Sequence, residues 1–411
     1  MPAVVEDQIQ TDTDEQRAFR AEVREFLAAN ARPKQAVSPW ALNFHTSEED
    51  ARAEFENGRR WQRRLYDAGF AGLTYPPEYG GRGGQPWHEQ IFREEVAEFD
   101  VSVGFISSTI AMLGPTIMRH GTEQQRRELL PRLLSGDDAW CQLFSEPGAG
   151  SDLAGLGCRA VRDGDEFVVT GQKVWNSAAQ FCDHGMLLVR TNTDAPKHRG
   201  ITFLLVDMRS PGIEVRPLVQ ATGAAHFNEV FLSEVRVPIA NVLGDIDGGW
   251  AAARTVLSNE SAFIGGGGGS VNAKLRMLAR DFDVASDPII RQDLARHYTR
   301  ERLLGLMSER ILAAVRKRET PPIDPSILKL YVAQNRVLSG NLAIAIAGPA
   351  GVVATDQRSR WIQGELVGRY GISIGGGTNE VQRNNLAERA LGLPREPRVD
   401  QDLAWRDIPR G

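Results

Sequence analysis

Ten consecutive residues, Leu143-Phe144-Ser145-Glu146-Pro147-Gly148-Ala149-Gly150-Ser151-Asp152, gather hydroxyls, turn formers and bare backbone amides. Pro147 presets a turn, and Gly148 and Gly150 let a ligand approach the backbone without a Cβ in the way. Ser145 and Ser151 can both donate and accept hydrogen bonds. Such chemistry suits a large polar cofactor, although a loop of this composition alone is usually a plain connection. A second feature is a solitary acid: Trp250, Ala253, Val256, Leu257, Phe263 and Ile264 recur at helical spacing, and Glu260 falls on or beside that stripe. A carboxylate facing an apolar interior has a raised pKa, which brings it towards the range useful for proton abstraction near neutrality. The blander alternative is a Glu at the helix edge or paired with Arg254. A third is Gly375-Gly376-Gly377-Thr378, which reads as a turn before a helix capped by Thr378.

These segments have company. Tyr75-Pro76-Pro77-Glu78-Tyr79-Gly80-Gly81, Gly121-Thr122-Glu123-Gln124-Gln125-Arg126, Lys173-Val174-Trp175-Asn176-Ser177, Phe227-Asn228-Glu229-Val230-Phe231, Val235-Arg236-Val237-Pro238, Gly377-Thr378-Asn379-Glu380-Val381-Gln382-Arg383 and Leu391-Gly392-Leu393-Pro394-Arg395 occur in the order that resembles the acyl-CoA dehydrogenase family. The resemblance spans nearly the whole chain. It implies FAD-dependent α,β-dehydrogenation of an acyl-CoA thioester to the trans-2-enoyl-CoA, the α-proton passing to a carboxylate and the β-hydride to flavin N5. Many members place the catalytic Glu immediately before the Gly-Thr of the C-terminal motif, where this chain has Gly376. A minority carries it on the first long helix after the β domain, and Glu260 fills that position. By resemblance, Gly376 keeps a backbone N–H for the thioester carbonyl, and Ser151, Gly376 and Gly377 line the substrate. The flavin positions are Leu143, Ser145, Gly150, Ser151, Trp175, Ser177, Thr378, Asn379 and Glu380, with Ser177 at N5 and Trp175 against the ring system. A neighbouring subunit completes the adenosine end in the family. Gly348 and Gly351 resemble its Gly-rich turn, and Arg280 is assigned to its Arg by spacing. One departure is Ser261, where the family usually has Arg, a change that bears on substrate placement and on the acidity of the base.

The elements that must hold these residues fall into an α, then β, then α series. Thr13 and Gln16 form a capping-box pattern, followed by Phe19, Val23, Phe26 and Leu27 at helical spacing, and helical periods continue through Trp61 to Gly69, Glu89 to Phe99 and Glu123 to Leu134. Asp163-Gly164 separates two strand patterns as a hairpin would, Ile201 to Val206 is a β-rich run closed by Ser210-Pro211-Gly212, and Val230 to Val237 adds a strand. After Gly248-Gly249 the helical period returns, with Asp287-Pro288 and Asp324-Pro325 each placing a cap before a first-turn Pro. The expected architecture is α+β multidomain, with an N-terminal α-helical domain over 1–138, a middle antiparallel β-barrel over 139–245 and a C-terminal four-helix bundle with an extended tail over 246–411. Five consecutive glycines, Gly265 to Gly269, penalise a helix by about 1 kcal/mol each relative to Ala. They either open space beside an acyl pocket for a wide or branched group or mark a helix break.

Composition narrows the function classes. At 411 residues the chain exceeds one core, and a net charge of -5 offers no basic footprint for nucleic acid. Three cysteines, Cys141, Cys158 and Cys182, lack paired spacing, so neither disulfides nor a metal site are expected. No apolar run is long enough for a bilayer, and a cytoplasmic protein is expected. The implied partners are acyl-CoA, an electron-transfer flavoprotein as acceptor, and further subunits in a homodimer, homotetramer or heterotetramer. Alternatives on the same fold are a non-catalytic partner subunit and a flavin oxidase or monooxygenase.

Overall fold

The computed structural model describes residues 12–34, 38–42, 45–101, 104–266, 271–316, 319, 326–397 and 400–409. Five helices build the N-terminal part: α1 (Asp14–Asn30), α2 (Glu48–Asp67), α3 (Pro86–Val96), α4 (Gly104–His120) and α5 (Glu123–Ser135). The Thr13 hydroxyl accepts from Gln16 N at 3.2 Å and the Gln16 side chain accepts from Thr13 N at 2.9 Å, so the capping box starts α1 as expected. Phe19, Val23 and Leu27 are its buried face, packed with Trp61, Leu65, Phe70 and Ile91. The Gly121-Thr122 motif has the same physical origin. Thr122 and Gln125 cap α5 reciprocally, and Gln125 Nε2 also donates to the Val242 carbonyl at 2.9 Å, tying α5 to the end of the β domain. Two short strands, β1 (Arg32–Pro33) and β2 (Phe99–Asp100), pair antiparallel.

The middle of the chain is a seven-stranded sheet of β3 (Trp140–Leu143), β4 (Arg159–Asp163), β5 (Glu166–Val174), β6 (His184–Arg190), β7 (Ile201–Asp207), β8 (Ile213–Leu218) and β9 (Phe227–Pro238). Most pairings are antiparallel, including the β4–β5 hairpin at Asp163-Gly164. Two are not: β3 and β4 each run parallel to β6, which is open to them because long crossovers separate the partners. Between Val169 and Gly171 the β5–β9 register shifts, and a Cβ on Gly171 would lie 2.8 Å from the Cys158 Cα, so this crossing needs glycine. β6 and β7 are apolar almost without alternation because both of their faces are covered. Leu187, Val189, Leu204 and Val206 face the interior of the curled sheet. Met186, Leu188, Phe203 and Leu205 face the opposite layer, made from α4, α5 and the next helix.

That helix is α6 (Trp250–Gly266), followed by α7 (Val271–Asp281), α8 (Pro288–Arg316), α9 (Ser326–Ala347), α10 (Gln357–Gly368), α11 (Gly371–Ile374) and α12 (Asn379–Asn385). Asp287 Oδ1 accepts from Ile289 N and Ile290 N, so the Asp-Pro pair starts α8 as expected. The Asp324-Pro325 pair and Gly267 to Gly269 lie outside the described residues; α6 continues through Gly266. The apolar stripe of α6 departs from expectation at one end. Ala252, Ala253 and Val256 are buried, whereas Phe263 is 44% exposed, because this chain covers only the first half of the helix with sheet and α4. The tail is held down as well. Trp405 Nε1 donates to the Gly155 carbonyl at 3.2 Å, and the Arg190 guanidinium lies 4.9 Å from the Trp405 ring centroid. No described helix is long and apolar enough to cross a membrane.

Phe203 joins the two layers, with Phe144 edge-on at 5.7 Å between ring centroids. We expect Phe203→Ala to lower stability by about 3–5 kcal/mol through the transfer and cavity terms. Denaturant unfolding measures it, and a loss under 1 kcal/mol would mean that the layer below the Phe144 loop packs otherwise.

Candidate active site

The loop after β3 is shaped by one carboxylate. Glu146 accepts from Gly157 N at 2.7 Å, Cys158 N at 2.8 Å and Lys173 Nζ at 2.7 Å. The Lys173 side chain is completely buried, and its ammonium also donates to the Phe144 carbonyl at 3.0 Å. With its base anchored, the tip of the loop stays open: Gly150 and Ser151 are exposed, and a Cβ at Gly148 or Gly150 would meet nothing. Leu143 is fully buried with its side chain in the core of the sheet, so any contact with a cofactor would have to come from its backbone. Ser145 is half-buried, and its carbonyl accepts from Val174 N at 2.9 Å, which sets the second motif beside the first.

That second motif is interlocked with the Phe227-Asn228 segment. Asn176 N donates to the Asn228 carbonyl at 3.1 Å, and Asn228 Nδ2 returns to the Asn176 carbonyl at 2.8 Å. Trp175, between them, sits at φ 63° and is 60% exposed. A bulky residue in left-handed backbone with its ring in the open is strain that the surroundings must enforce, a pattern concentrated at ligand sites. Ser177 is half-buried next to it.

From here a chain of contacts leads to the acid. Asn176 Nδ2 donates to the Gln142 carbonyl at 2.8 Å, and the Gln142 side chain hydrogen-bonds the Glu260 carboxyl. Burial pushes the Glu260 pKa up from its ordinary value, opposed by that hydrogen bond and by the Lys329 ammonium. Lys329, completely buried on α9, donates to the Gly377 carbonyl. Segments about a hundred residues apart thus meet across one lysine, and Glu260 faces it rather than Arg254. Gly376 and Gly377 lie at φ 66° and 84°, backbone that glycine adopts freely. Gln382 Nε2 donates to the Gly376 carbonyl at 3.0 Å, and the Thr378 hydroxyl caps α12 by accepting from Val381 N at 3.2 Å.

Thr378, Asn379 and Glu380 line a cavity of about 610 Å³ with Arg300, Tyr370 and Ser373. Asn379 Oδ1, Ser373 Oγ and, beside the acid, Asn259 Nδ2 are buried without a hydrogen-bond partner among the described residues. Unmet polar atoms, an open indole and a bare-amide loop fit an extended cofactor with both ring and polar portions. Arg280, exposed on the last turn of α7, and the Gly348 to Gly351 turn after α9 flank the core of the bundle instead. Their contacts join none of those that link Glu260 to the loops carrying Ser145 and Trp175 among the described residues.

Against known proteins, three family models match in succession: acyl-CoA dehydrogenase N-terminal domain over residues 13–137, middle domain over 141–235 and C-terminal domain over 247–391. The chain belongs to the acyl-CoA dehydrogenase family. It is 39% identical over 387 residues to acyl-CoA dehydrogenase IpdE1 of Mycobacterium tuberculosis, covering 92% of this chain and 98% of the relative. A solved structure described as "Tcur3481-Tcur3483 steroid ACAD" aligns with a TM-score of 0.76 at 31% identity, over 94% of this chain and 99% of that one. The ChsE4-ChsE5 complex from Mycobacterium tuberculosis aligns with a TM-score of 0.73 at 30% identity, over 94% and 100%. As an acyl-CoA dehydrogenase, the chain is an oxidoreductase of a flavoprotein family.

Four residues of this arrangement were not singled out in the sequence: Glu146, Lys173, Gln142 and Lys329. Two of them left a signal. Lys173 has the strand parity of the buried Phe167 and Val169, and Lys329 precedes the buried Val332 and Ala333 by three and four residues on α9. A lysine in register with core residues must find an acceptor inside. Glu146→Ala removes the carboxylate that meets the buried Lys173, and stranding a buried charge in this way costs about 3–5 kcal/mol. The urea midpoint should fall accordingly and flavin content should drop with it; an unchanged midpoint would show the loop to be anchored by other contacts.

Proposed function

We propose that this dehydrogenase binds FAD and converts an acyl-CoA thioester to its trans-2-enoyl-CoA with Glu260 as the base. The observation that supports this most directly is the Glu260 carboxyl itself, half-buried between Gln142 and Lys329 and one lysine away from the Gly377 carbonyl. Desolvation makes the carboxylate a stronger base than it is in water, and the glycine at position 376 leaves room for an acid arriving from α6. The Gly376 N–H is the donor for the thioester oxygen as charge develops there. Ser151 and Gly377 border the acyl-CoA, the Leu143 to Ser151 loop and Ser177 hold the flavin, and Trp175 covers its ring. Thr378, Asn379 and Glu380 flank its polar arm, and Arg280 with the Gly348 to Gly351 turn serves the adenosine end of a neighbouring subunit's cofactor. Bound flavin supplies the acceptor for the β-hydride. An electron-transfer flavoprotein then takes the electrons.

The substrate class proposed is a wide, polycyclic acyl group such as a steroid-derived thioester. Two features support it: the structural relative described as a steroid dehydrogenase, and the glycines that end α6 six residues beyond the base. The paired chains of both structural relatives also favour assembly with a second, different subunit over a homo-oligomer. Ser261 gives weight to one other reading, a subunit that completes the site of a paired chain without catalysing. Expression alone separates the two, since stoichiometric FAD on the isolated chain supports catalysis and a colourless chain that gains flavin only with a partner supports the other.

Glu260→Gln should keep FAD and lose flavin bleaching by acyl-CoA by orders of magnitude under anaerobic conditions, because an amide cannot accept the proton. Near wild-type rates would refute Glu260 as base. In the parent protein the raised carboxyl pKa places an acid limb on the rate, with activity rising as pH passes upward through it. Gly266→Leu should reduce turnover of polycyclic thioesters more than tenfold relative to slim straight-chain ones; equal losses on both would argue against a widened pocket.

A further inference from the structure

One charged group at this site has no part in the proton transfer as described. Lys329 is fully buried, although a lysine almost never is unless it is paired. Its ammonium donates to the Gly377 carbonyl and faces the carboxylates of Glu260 and Glu380. Glu380 is bound at the surface by Arg383 at 2.8 Å, which leaves Glu260 as the inward negative group. Among the described residues, Gln142 from β3 and Lys329 from α9 are the polar groups that act on the Glu260 carboxyl. α4 places His120 against Thr255, more than a turn earlier on α6, and β7 presents Ile201, Phe203 and Leu205 to this layer. The glycine turn has no side chain by which it could be packed in place, and its two carbonyls are gripped by Lys329 and Gln382.

We propose that Lys329 is a positioning residue for acid–base chemistry at this site, its ammonium anchoring the Gly376-Gly377 turn through the Gly377 carbonyl while standing as the counter-charge to Glu260. The proposal rests on Glu260 being the base. Before the reaction the negative charge lies on Glu260; when the α-proton moves to that carboxylate, the charge moves to the thioester oxygen near the Gly376 N–H. One ammonium faces the first place and is bonded at the residue next to the second, so charge migrates across the site without leaving its counter-ion. The α-proton goes to Glu260 and not to Lys329, whose own pKa burial lowers against the pull of Glu260 and Glu380.

The test uses the flavin-loaded protein with Lys329→Gln, Lys329→Met and Lys329→Arg, reading flavin content and the pH dependence of anaerobic bleaching in a single turnover with acyl-CoA. Removing a neighbouring positive charge raises a carboxyl pKa by about one to three units. The Gln and Met variants should therefore keep flavin, move the acid limb upward by that amount and regain rate at alkaline pH. Gln, which retains a donor for the Gly377 carbonyl, should hold KM near the parent value while Met does not. Arg, which keeps the charge, should leave the limb near its original place. A limb that does not move in flavin-loaded Gln or Met variants overturns the proposal, and so does loss of flavin from all three, which would make Lys329 a purely structural residue. Glu260→Gln run beside them separates the two claims: if it bleaches normally, the base assignment fails, whereas a dead Glu260→Gln with an unshifted Lys329→Gln profile sinks the lysine alone.

Discussion

Among the described residues two lysine ammonium groups are withdrawn from water, and each must be met by protein oxygen. The energetic penalty for an unpaired buried charge is large enough to organise everything around it. Lys173 collects the Phe144 carbonyl and the Glu146 carboxylate, and Glu146 in turn collects the amides of Gly157 and Cys158. Lys329 collects the Gly377 carbonyl and faces Glu260. The first ion fixes the base of the Ser145 to Ser151 loop and the second fixes the glycine turn. Both loops consist of residues with almost no means of packing themselves, so a rigid geometry there has to come from below.

Gln142 connects the two halves. Its backbone carbonyl accepts from Asn176 and its side chain reaches Glu260, so one residue on β3 relates the loop with the exposed Trp175 to the half-buried acid. β3 is a short strand, but its parallel pairing with β6 embeds it in the most deeply buried part of the sheet. A displacement of Phe144 or Phe203 would be felt at Gln142, and through it at Glu260, because close-packed layers transmit shifts rather than absorb them. Dehydrogenation needs this kind of stiffness, since the proton acceptor and the hydride acceptor must bracket two adjacent carbons at the same time.

Several local decisions were legible because they are settled within a few residues. The capping pair Thr13 with Gln16, the Asp163-Gly164 hairpin, the Asp287-Pro288 start of α8 and the Thr378 cap all rest on hydrogen bonds or φ preferences close in sequence. The Ile201 to Val206 run that forms β7 was visible as a β-rich stretch, but neither its burial on both faces nor the layer each side chain would meet was. The stripe on α6 misled at Phe263, because periodicity reports which face is apolar and not how far along the helix a neighbour extends.

The residues themselves therefore determined the family, the order of helical and β segments, and the presence of an acid on an apolar helix. Tertiary structure decided the rest: that burial raises the pKa of the half-buried Glu260, that it faces Lys329 and not Arg254, and that the glycine turn is gripped through its carbonyls. The reason is physical. Caps and turns answer to neighbours in sequence, whereas the acidity of a carboxyl answers to whatever charges and apolar surface folding brings within a few ångströms, and α6, α9 and the Gly376-Gly377 turn become neighbours only in the folded chain.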